Sequence, residues 1–568
     1  MGVTRRWAVR ESLPLATPAQ GPAPHPLLAR LWGARGVTDA QHMDPSLSHM
    51  PSPLLLKGMA EAAASLAQAI ASQARLVIVA DYDCDGATAC AVGLRGLRRL
   101  GALHVDFVVP DRAQDGYGLT PPIADRVHAL GADWLITVDN GIASVEGVAH
   151  ARALGLKVLI TDHHLPGQAL PEPEHLINPN QPGCHYPSKH LSGVGVMFQL
   201  LLATRAAMRA QGAFAADAEP RLDDLLPLVA LGTVADVVPL DEHNRRWVQQ
   251  GLARMRRGRL PPGLQALFEV SGRMASTASA ADLGFALGPR INAAGRLADM
   301  RMGIQCLVTD DDHEARHLAQ QLDDINRQRR ELETDMHASA LALAQASLGD
   351  ASAPALCVFD PSFHEGVVGI VASRLKEAWH RPTFVLAANA QHPEWLRGSG
   401  RSIPGFHLRD ALDLISKRHP GLMQRFGGHA MAAGCTLHRD GLATFAHSLA
   451  EVASETLAPE DLQQVLRHDG PLAPEWLTVD TAELLRQQVW GQGFAEPLFC
   501  NPVRVVQQRR VGERHLKLQL DVHGQRVAGI WFGRAEPLPP ECELLFALES
   551  NTWQGQTEVQ LRVVDARF

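Results

Sequence analysis

The segment Leu76-Val77-Ile78-Val79-Ala80-Asp81-Tyr82-Asp83-Cys84-Asp85-Gly86 carries the clearest structural signal in the sequence. Its first five residues are apolar and mostly β-branched, which is typical of a strand buried in a sheet. Acidic residues then occupy every second position, and a glycine closes the motif. The segment therefore predicts a buried strand whose carboxyl end delivers several carboxylates to one place.

Three further apolar runs have the length of a buried strand: Val105–Val109, Trp134–Val138 and Val158–Thr161. Helix-sized segments separate them, and this alternation is typical of βαβ units that form a parallel sheet. In such a sheet the carboxyl ends of the strands meet along one edge, where ligands bind. The fold class is therefore predicted to be α/β.

Polar residues follow two of these runs directly. Asp139-Asn140-Gly141 comes after Trp134–Val138, and Asp162-His163-His164 comes after Val158–Thr161. Asp236 lies near the end of a later apolar segment, Leu225–Val238. We therefore expect acids and imidazoles from distant parts of the chain to share one crevice.

Gathering these carboxylates costs several kcal/mol in repulsion and desolvation unless cations neutralise them. We therefore predict bound metal, and the oxygen-rich donor set without a thiolate suits Mn²⁺ or Mg²⁺, with two ions in one site. Simpler interpretations exist for each piece alone. An EF-hand calcium loop would need Glu where Val92 stands, Asp-Asn-Gly is common in turns, and Asp-His-His can cap a helix.

The rest of the chain has three further patterns. A long helix is predicted at 310–347 from the apolar stripe that contains Leu318, Leu322 and Met336. A second α/β pattern follows, and the alternation of Leu516–Val522 predicts strands of a small antiparallel barrel. We predict an extended N-terminal lead-in at 1–50, a parallel-sheet domain at 51–305, a connecting helix at 306–350, a second α/β domain at 351–460 and a β-barrel at 461–568.

The composition is that of an ordinary globular protein, with 568 residues of which 46% are hydrophobic and 20% charged. The net charge of −8 excludes a polycation, so a nucleic-acid partner would have to be held by local basic patches or metal ions. The eight cysteines form no C-x-x-C pair, and no secretory leader or membrane-length apolar run is evident. We therefore expect a cytoplasmic protein without a membrane partner. The absence of Gly-Lys and of G-x-S-x-G disfavours a P-loop motor and an α/β-hydrolase.

Eight motifs, taken in order, resemble those of the DHH phosphoesterase superfamily and of its single-strand-specific exonuclease branch. They are Asp81–Gly86, Val138–Gly141, Asp162–His164, Gly232–Asp236, Gly288–Arg296, His364–Gly369, Gly398–Ser402 and Gly427–Ala430. The resemblance implies a DHH catalytic domain, a DHH-associated second domain and a C-terminal OB-fold. It also implies metal-dependent 5′→3′ degradation of single-stranded DNA to 5′-mononucleotides in recombination and repair.

The resemblance also assigns residues to the chemistry. It implies that the metal ligands or their immediate neighbours are Asp81, Asp83, Asp85, Asp139, His163 and Asp236. Asp139 is the expected bridging carboxylate, His164 the expected contact to the scissile phosphate, and Asp162 the expected residue that orients the histidine pair. Spacing leaves open which acids of the first motif bind metal directly.

Further residues are expected to hold the DNA. Those predicted to bind the terminal 5′-phosphate and the first nucleotides are Arg112, Arg290, Arg296, Ser399, Arg401 and His429. The basic stretches Arg245–Arg259 and Asn501–Arg526 are candidate DNA-binding surfaces, although such runs are often only solvated faces. The aromatic candidates for base stacking, for which core positions are the commoner role, are Phe494, Phe499, Trp531 and Phe532.

We therefore expect single-stranded DNA as the substrate, with single-strand-binding protein and a helicase as further partners. Two other functions remain open from the sequence. A phosphodiesterase for short oligonucleotides or dinucleotides would not need the basic barrel. A scaffold that keeps the fold without catalysis would not need the complete set of motif acids and histidines.

Overall fold

The computed structural model describes residues 5–16, 24–111, 115–215, 218–348 and 353–568. These residues form two compact units. The smaller unit comprises Ile325–Arg467 and the described residues before Val9, and the larger unit comprises Val9–Asp324 and His468–Phe568. The larger unit is therefore built from two segments of chain that the smaller unit separates.

Strands and helices alternate through most of the chain. The strands are β1 (Arg5–Val9), β2 (Leu76–Ala80), β3 (Val105–Val108), β4 (Trp134–Val138), β5 (Lys157–Thr161), β6 (His175–Ile177), β7 (Leu356–Phe359), β8 (Thr383–Ala388), β9 (Trp395–Arg401), β10 (Met423–Gly428), β11 (Ala432–His438), β12 (Gln464–His468), β13 (Phe499–Val511), β14 (His515–Val522), β15 (Gln525–Phe532), β16 (Glu541–Trp553) and β17 (Gln556–Arg567).

The helices are α1 (Pro26–Gly33), α2 (Met59–Ala71), α3 (Cys84–Arg99), α4 (Pro121–Ala129), α5 (Val145–Ala153), α6 (Gly193–Ala210), α7 (Leu226–Ala235), α8 (Glu242–Arg256), α9 (Pro262–Val270), α10 (Ala280–Asp282), α11 (Gly288–Leu297), α12 (Arg301–Val308), α13 (Asp312–Leu348), α14 (Val368–Trp379), α15 (Leu408–Arg418), α16 (Leu442–Thr456) and α17 (Val479–Arg486). A π-helical turn at Leu283–Leu287 joins α10 to α11. Within the described ranges no single helix is long and apolar enough to cross a membrane, and the bent pair Leu47–Leu55 with Met59–Ala71 meets that test only by length and composition.

The sheet of the larger unit contains five parallel strands in the order β3-β2-β4-β5-β6. All residues of β2 and β4 are buried, because apolar clusters cover both faces of the sheet. The register pairs Ala80 with Val138 and Val138 with Thr161. The strands β2, β4 and β5 therefore end side by side, and the polar segments after them begin at one edge.

The C-terminal strands β13–β17 form a closed barrel in the order β13-β14-β15-β17-β16. Alternate residues of β14 are buried, as its sequence alternation predicts. One continuous cluster of buried apolar residues includes both Leu27 and Val563, so the barrel and the parallel-sheet part share a core.

A buried ion pair also joins the two chain segments of the larger unit. The Arg35 guanidinium donates to both carboxylate oxygens of Asp469, from Nη1 at 2.9 Å and from Nη2 at 3.1 Å. Both side chains are almost fully buried. Because a buried charge without its partner is costly, this bidentate pair ties the barrel firmly to the first segment.

The smaller unit contains its own five-stranded sheet in the order β10-β11-β9-β8-β7. The pair β7–β8 is parallel and the other pairs are antiparallel. The helix α13, 37 residues long, begins in the larger unit and continues into the smaller one. The predicted second α/β region and the long helix are therefore both present.

The predicted lead-in differs from the structure. The Pro- and Ala-rich composition indicated extended chain, but α1 lies within residues 1–50 and Leu27 and Leu31 are fully buried in the core. Pro26 stands at the start of this helix, where its missing N–H group is not needed, and His25 caps it by accepting from Leu27 N at 3.2 Å. The prediction of an extended lead-in is therefore wrong at 26–33.

Candidate metal centre

The acidic motif after β2 leads directly into α3. Asp83 is the N-cap of this helix, and its Oδ1 accepts a hydrogen bond from Gly86 N at 3.0 Å. Asp81 and Asp85 are buried. A Cβ at residue 86 would lie 2.5 Å from Asp81 O, so only glycine allows this close approach. The turn from strand to helix therefore holds three carboxylates near the end of β2.

Asp85 is held by the start of another helix. Its carboxylate accepts hydrogen bonds from Gly193 N at 2.6 Å and Val194 N at 2.9 Å, the first two residues of α6. An anion is favoured there because the first N–H groups of a helix lack partners and the helix dipole is positive at that end. The helix α6 therefore offsets part of the cost of burying this carboxylate.

Asp139 has an unusual backbone conformation at the end of β4. Its φ of +62° lies in the left-handed region, which few residues other than glycine adopt. Its N–H donates to Thr161 O at 3.0 Å, and a Cβ on Gly193 would lie 2.5 Å from Asp139 Oδ1. Backbone strain and close packing together fix the direction of this carboxylate, a combination that is frequent at functional sites.

His163 faces three carboxylates that come from separate segments. Its Nε2 lies 3.1 Å from Asp139 Oδ1, 3.5 Å from Asp236 Oδ2 and 4.0 Å from Asp85 Oδ2. Asp236 is the C-cap of α7 and so comes to the site from the end of a helix. The structure therefore brings the distant acids and the imidazole into one cluster, as the sequence predicts.

Buried polar atoms in this cluster have no hydrogen-bond partner, namely Asp139 Oδ1, His163 Nε2 and Asp236 Oδ2. Such atoms are rare in proteins because leaving them unpaired costs free energy. The groups whose ligand atoms lie within 4.8 Å of one another are Asp85–His163–Asp236, Asp81–Asp83–Asp139 and Asp139–His163–His164. Carboxylate oxygens with an imidazole nitrogen suit Mn²⁺ or Mg²⁺. The cluster therefore fits divalent cations, and the overlap of the groups at Asp139 fits more than one.

Three carboxyl groups of the cluster, those of Asp85, Asp139 and Asp236, have pKa values above the usual range. Burial and then repulsion from Asp236 raise the pKa of Asp85 to about 8, and burial and then repulsion from Asp83 raise the pKa of Asp236 to about 7. Burial and the charge of Asp85 also raise the pKa of Asp139. Burial lowers the pKa of His163, so its imidazole is neutral and able to bind metal. The site therefore retains protons near neutral pH that a cation would displace.

Asp162 organises the histidine pair. Its carboxylate accepts from Ile142 N at 2.8 Å, His163 N at 2.7 Å, His164 N at 3.1 Å and His164 Nδ1 at 2.7 Å. Burial, the largest single effect, acts to raise the pKa of Asp162, but the hydrogen bond and charge of His164, the charge of His163 and the hydrogen bond from Ile142 together lower the pKa. Burial, the largest single effect, acts to lower the pKa of His164, but the hydrogen bond and charge of Asp162, with the charges of Asp236 and Asp81, together raise the pKa to about 9. His164 is therefore a cation at neutral pH.

Sequence reasoning misses Tyr117, which contacts two predicted site residues. Its hydroxyl donates to Asp139 O at 3.2 Å and lies 3.3 Å from His164 Nδ1. Its ring also meets the Tyr82 ring edge to face, with centroids 6.2 Å apart. The sequence signal that could have indicated Tyr117 is the rarity of tyrosine, because the chain has three tyrosines in all and another of them, Tyr82, lies inside the acidic motif.

The predicted phosphate-binding arginines of the larger unit have different surroundings. Arg112 lies outside the described residues. Arg290 is buried, donates to Asp323 Oδ1 from Nε at 2.9 Å and donates to Ala286 O at 2.6 Å. Arg296 is half-buried in the last turn of α11. The role of all three arginines in binding phosphate stays a prediction.

The smaller unit brings its three predicted residues to one end of its sheet. Arg401 Nη1 donates to Ser399 Oγ at 3.0 Å, and a Cβ on Gly369 would lie 3.0 Å from atoms of both side chains. His429 N donates to Ala432 O at 2.7 Å, and Ala432 is the register partner of Arg401. A hydroxyl and a guanidinium therefore lie together on β9, and His429 lies in the turn between β10 and β11 at the same end of the sheet.

The basic stretch Arg245–Arg259 is largely structural. Arg245 and Arg246 are buried and donate to Leu240 O at 2.7 Å and Asp44 O at 3.0 Å. Arg254 pairs with Asp223 at 2.9 Å. The prediction of a DNA-binding surface is wrong for these arginines, because charge in the sequence does not show which face of α8 is turned inward.

Most of the aromatic candidates for base stacking are core residues. Phe494, Phe499 and Trp531 are at most 6% exposed, whereas Phe532 on the barrel is 58% exposed. Lys517, which pairs with Ile530, and Arg526, at the other end of β15 from Phe532, are exposed as well. Of the candidates named from the sequence, Phe532 is thus the one that a base can reach.

Comparison with known families matches three regions of the chain. Residues 75–233 match the DHH family, N-terminal domain, residues 352–455 match the DHHA1 domain, and residues 468–565 match the RecJ OB domain. These regions contain the parallel sheet, the second sheet and the barrel. The predicted fold class is therefore confirmed.

Proteins similar over nearly the whole chain carry a single name. The chain is 46% identical over 569 residues to the single-stranded-DNA-specific exonuclease RecJ of Escherichia coli, covering 98% of this chain and 97% of that protein. The crystal structure of RecJ in complex with Mn²⁺ from Thermus thermophilus matches with a TM-score of 0.81 and 31% identity, covering 100% of this chain and 80% of that one. The corresponding Mg²⁺ complex gives a TM-score of 0.75 at 30% identity, with coverage of 100% and 79%.

Proposed function

The chain belongs to the RecJ family, and from that membership we propose that it is a metal-dependent exonuclease specific for single-stranded DNA. We further propose that it cleaves from the 5′ end and releases 5′-mononucleotides, in DNA recombination and repair. The observation that carries the proposal is the cluster of buried ligand atoms without a hydrogen-bond partner on Asp139, His163 and Asp236 at the carboxyl edge of the parallel sheet. A bound cation would directly offset the free-energy cost of burying these atoms together.

The groups that would hold Mn²⁺ or Mg²⁺ are Asp81, Asp83, Asp85, Asp139, His163 and Asp236, with Asp139 shared between ions. Cations bound there supply positive charge that stabilises the phosphate oxygens and lowers the pKa of the attacking water. The strained backbone of Asp139 and its tight contact with Gly193 keep this carboxylate in place before any ligand binds.

His164 supplies the protein's own positive charge to the scissile phosphate. Its Nδ1 is committed to Asp162, which keeps the imidazole protonated and fixes the orientation of the ring. The imidazolium can then donate a charge-assisted hydrogen bond to a phosphate oxygen. Asp162 is a positioning residue in this proposal, because its carboxylate already accepts hydrogen bonds from Ile142, His163 and His164.

The remaining predicted residues are assigned to the DNA. We assign Arg112, Arg290, Arg296, Ser399, Arg401 and His429 to the terminal 5′-phosphate and the first nucleotides. Arg401 and Ser399 suit a terminal phosphate because a guanidinium and a hydroxyl can each donate to a different oxygen. Exposed Lys517, Arg526 and Phe532 of the barrel suit the strand further along, where charge and stacking bind without regard to sequence.

The direct test is a time course on single strands blocked at the 5′ or the 3′ end, with Mn²⁺ or with chelator. We expect mononucleotides only from strands with a free 5′ end and only with metal. Asp139→Ala should abolish cleavage, whereas Asp106→Ala, at an exposed acid of β3, should cleave normally. Degradation of 5′-blocked strands, or turnover by Asp139→Ala in saturating Mn²⁺, would contradict the proposal.

A series of substrate lengths separates this function from a phosphodiesterase for short oligonucleotides or dinucleotides. Activity that vanishes beyond a few nucleotides would support the phosphodiesterase. Single-strand-binding protein, a helicase and a cytoplasmic location stay predictions from the sequence. Rates measured with and without each purified partner test the first two.

A further inference from the structure

The π-helical turn Leu283–Leu287 displays an unpaired aromatic side chain. Phe285 is 82% exposed, which is the highest value among the large apolar side chains of the described residues. Its neighbours Leu283 and Leu287 are fully buried, so the turn is anchored while the phenyl ring projects. Such π-turns are rare and are often found at functional sites.

This turn packs against the segment that carries Asp236. A Cβ on Gly284 would lie 3.2 Å from Val234 Cγ1, and a Cβ on Gly288 would lie 3.1 Å from Ala235 Cβ. Val234 and Ala235 form the last turn of α7, and Asp236 is the next residue. The exposed ring of Phe285 therefore rises from a turn that touches the edge of the metal centre.

The other end of the π-turn also leads to the metal centre. The turn continues directly into α11, whose Asn292 accepts a hydrogen bond from Cys84 N at 2.8 Å. A Cβ on Gly295 of the same helix would lie 1.9 Å from Tyr82 O. The turn that carries Phe285 thus packs against the end of α7, and the helix that follows it contacts the acidic motif.

Val237 gives a second, independent observation at this place. Its φ of +63° is a strained conformation for a β-branched residue, and its side chain is 61% exposed. Strain of this kind persists where the surrounding structure enforces it, and it concentrates at functional sites. The strained turn directs an apolar side chain into solvent directly after the ligand Asp236.

We propose that Phe285 and Val237 form a ledge on which a base of the DNA substrate, close to the scissile phosphate, stacks. This inference rests on the proposed function. A single exposed apolar residue is ordinary. Here an exposed aromatic projects from a turn packed against Val234 and Ala235, and a strained, exposed valine follows Ala235 by two residues. Two exposed apolar side chains on neighbouring segments next to the ligand Asp236 fit a nucleobase. An aromatic face stacks on every base, so the ledge holds the strand without selecting a sequence.

The test uses 5′-phosphorylated single strands with one abasic site placed at each of the first positions in turn. In the wild-type protein, the abasic site at the contacted position should raise KM by at least about fivefold, which is the low end of measured stacking contributions. Phe285→Ala should raise KM by a similar factor on the intact strand and should lose sensitivity to that abasic position. Phe285→Trp should retain the wild-type pattern, because it keeps a stacking face.

Leu103→Ala is the matched control, since Leu103 is also strongly exposed, at 74%, but precedes β3. It therefore lies at the amino ends of the parallel strands, whereas the metal centre lies at their carboxyl ends. It should leave KM unchanged on every strand. Equal KM values for wild type and Phe285→Ala, or an equal loss on intact and abasic strands, overturn the ledge. A variant that cleaves normally but changes the oligomeric state shows a contact between protein copies and also overturns it. If the wild type itself fails to cleave DNA with Mn²⁺, the proposed function is what fails.

Discussion

Gly193 offers a way to disturb the metal centre without altering any ligand. It is the first residue of α6, and a Cβ placed on it would lie 2.5 Å from Asp139 Cβ and Oδ1 and 2.7 Å from Asp139 Cγ. An ordinary contact begins near 3.4 Å, so Gly193→Ala must displace the Asp139 side chain by about 0.9 Å. Metal ligands tolerate displacements of only about 0.2 Å. The alanine therefore moves the shared carboxylate several times further than a bound cation permits.

We expect Gly193→Ala to weaken Mn²⁺ binding by about 10- to 100-fold, which is typical of disturbed ligand support, and to lower kcat/KM by about 100-fold. The assays are titration calorimetry with Mn²⁺ and steady-state cleavage of single-stranded DNA. Gly96→Ala is the matched control, since its Cβ would lie 2.3 Å from Leu201 Cδ1, in the core away from the ligands. It should lower the melting temperature but leave Mn²⁺ affinity unchanged. A folded Gly193→Ala protein with wild-type affinity and turnover would refute the reasoning.

Three other predictions follow from the geometry of the sites. Mn²⁺ affinity should rise between about pH 6 and 8 in calorimetry, because the cation displaces protons from Asp85 and Asp236, whose pKa values are raised to about 8 and about 7. Conversely, the melting temperature of the metal-free protein should fall as pH rises through that range, because only the folded state still holds these protons. Mn²⁺ affinity and melting temperature that both stay constant with pH would contradict this prediction. Asp162→Asn should lower kcat at least about tenfold and should lower the pKa of His164, followed by NMR, from about 9. An unchanged His164 pKa would show that Asp162 does not raise it. Arg401→Ala should reduce the preference for 5′-phosphorylated over 5′-hydroxyl ends without changing Mn²⁺ affinity, and an unchanged ratio of the two rates would remove that assignment.

The parallel sheet could be predicted from the sequence because its buried strands are short apolar runs that are followed directly by polar residues. The same rule placed Asp139 and His163 at one edge, since parallel strands share their direction. Asp236 was included because it lies near the end of the apolar segment Leu225–Val238, but that segment did not show how the acid reaches the site. It comes from the end of a helix that is buried almost all round and shows no periodicity.

The contacts that cross the chain could not be predicted in this way. Gly193 lies 108 residues from Asp85, and neither residue type alone indicates that a helix start would hold that carboxylate. Arg245 and Arg246 illustrate the opposite problem. Their charge suggested a surface, but a guanidinium can also be buried when carbonyl oxygens accept its hydrogen bonds.

The ion pair between Arg35 and Asp469 sets a constraint on how the protein is made. These residues are 434 positions apart. At about 5 to 20 residues per second, a ribosome needs roughly 20 to 90 s after adding Arg35 before Asp469 exists. During that interval the nascent N-terminal half has a guanidinium without its counter-ion and an apolar surface that the barrel has yet to cover. The larger unit is therefore expected to finish folding only after the last hundred or so residues have been synthesised. A chain that terminates shortly before its end would keep every candidate catalytic residue but would lack the segment that completes the core of this unit.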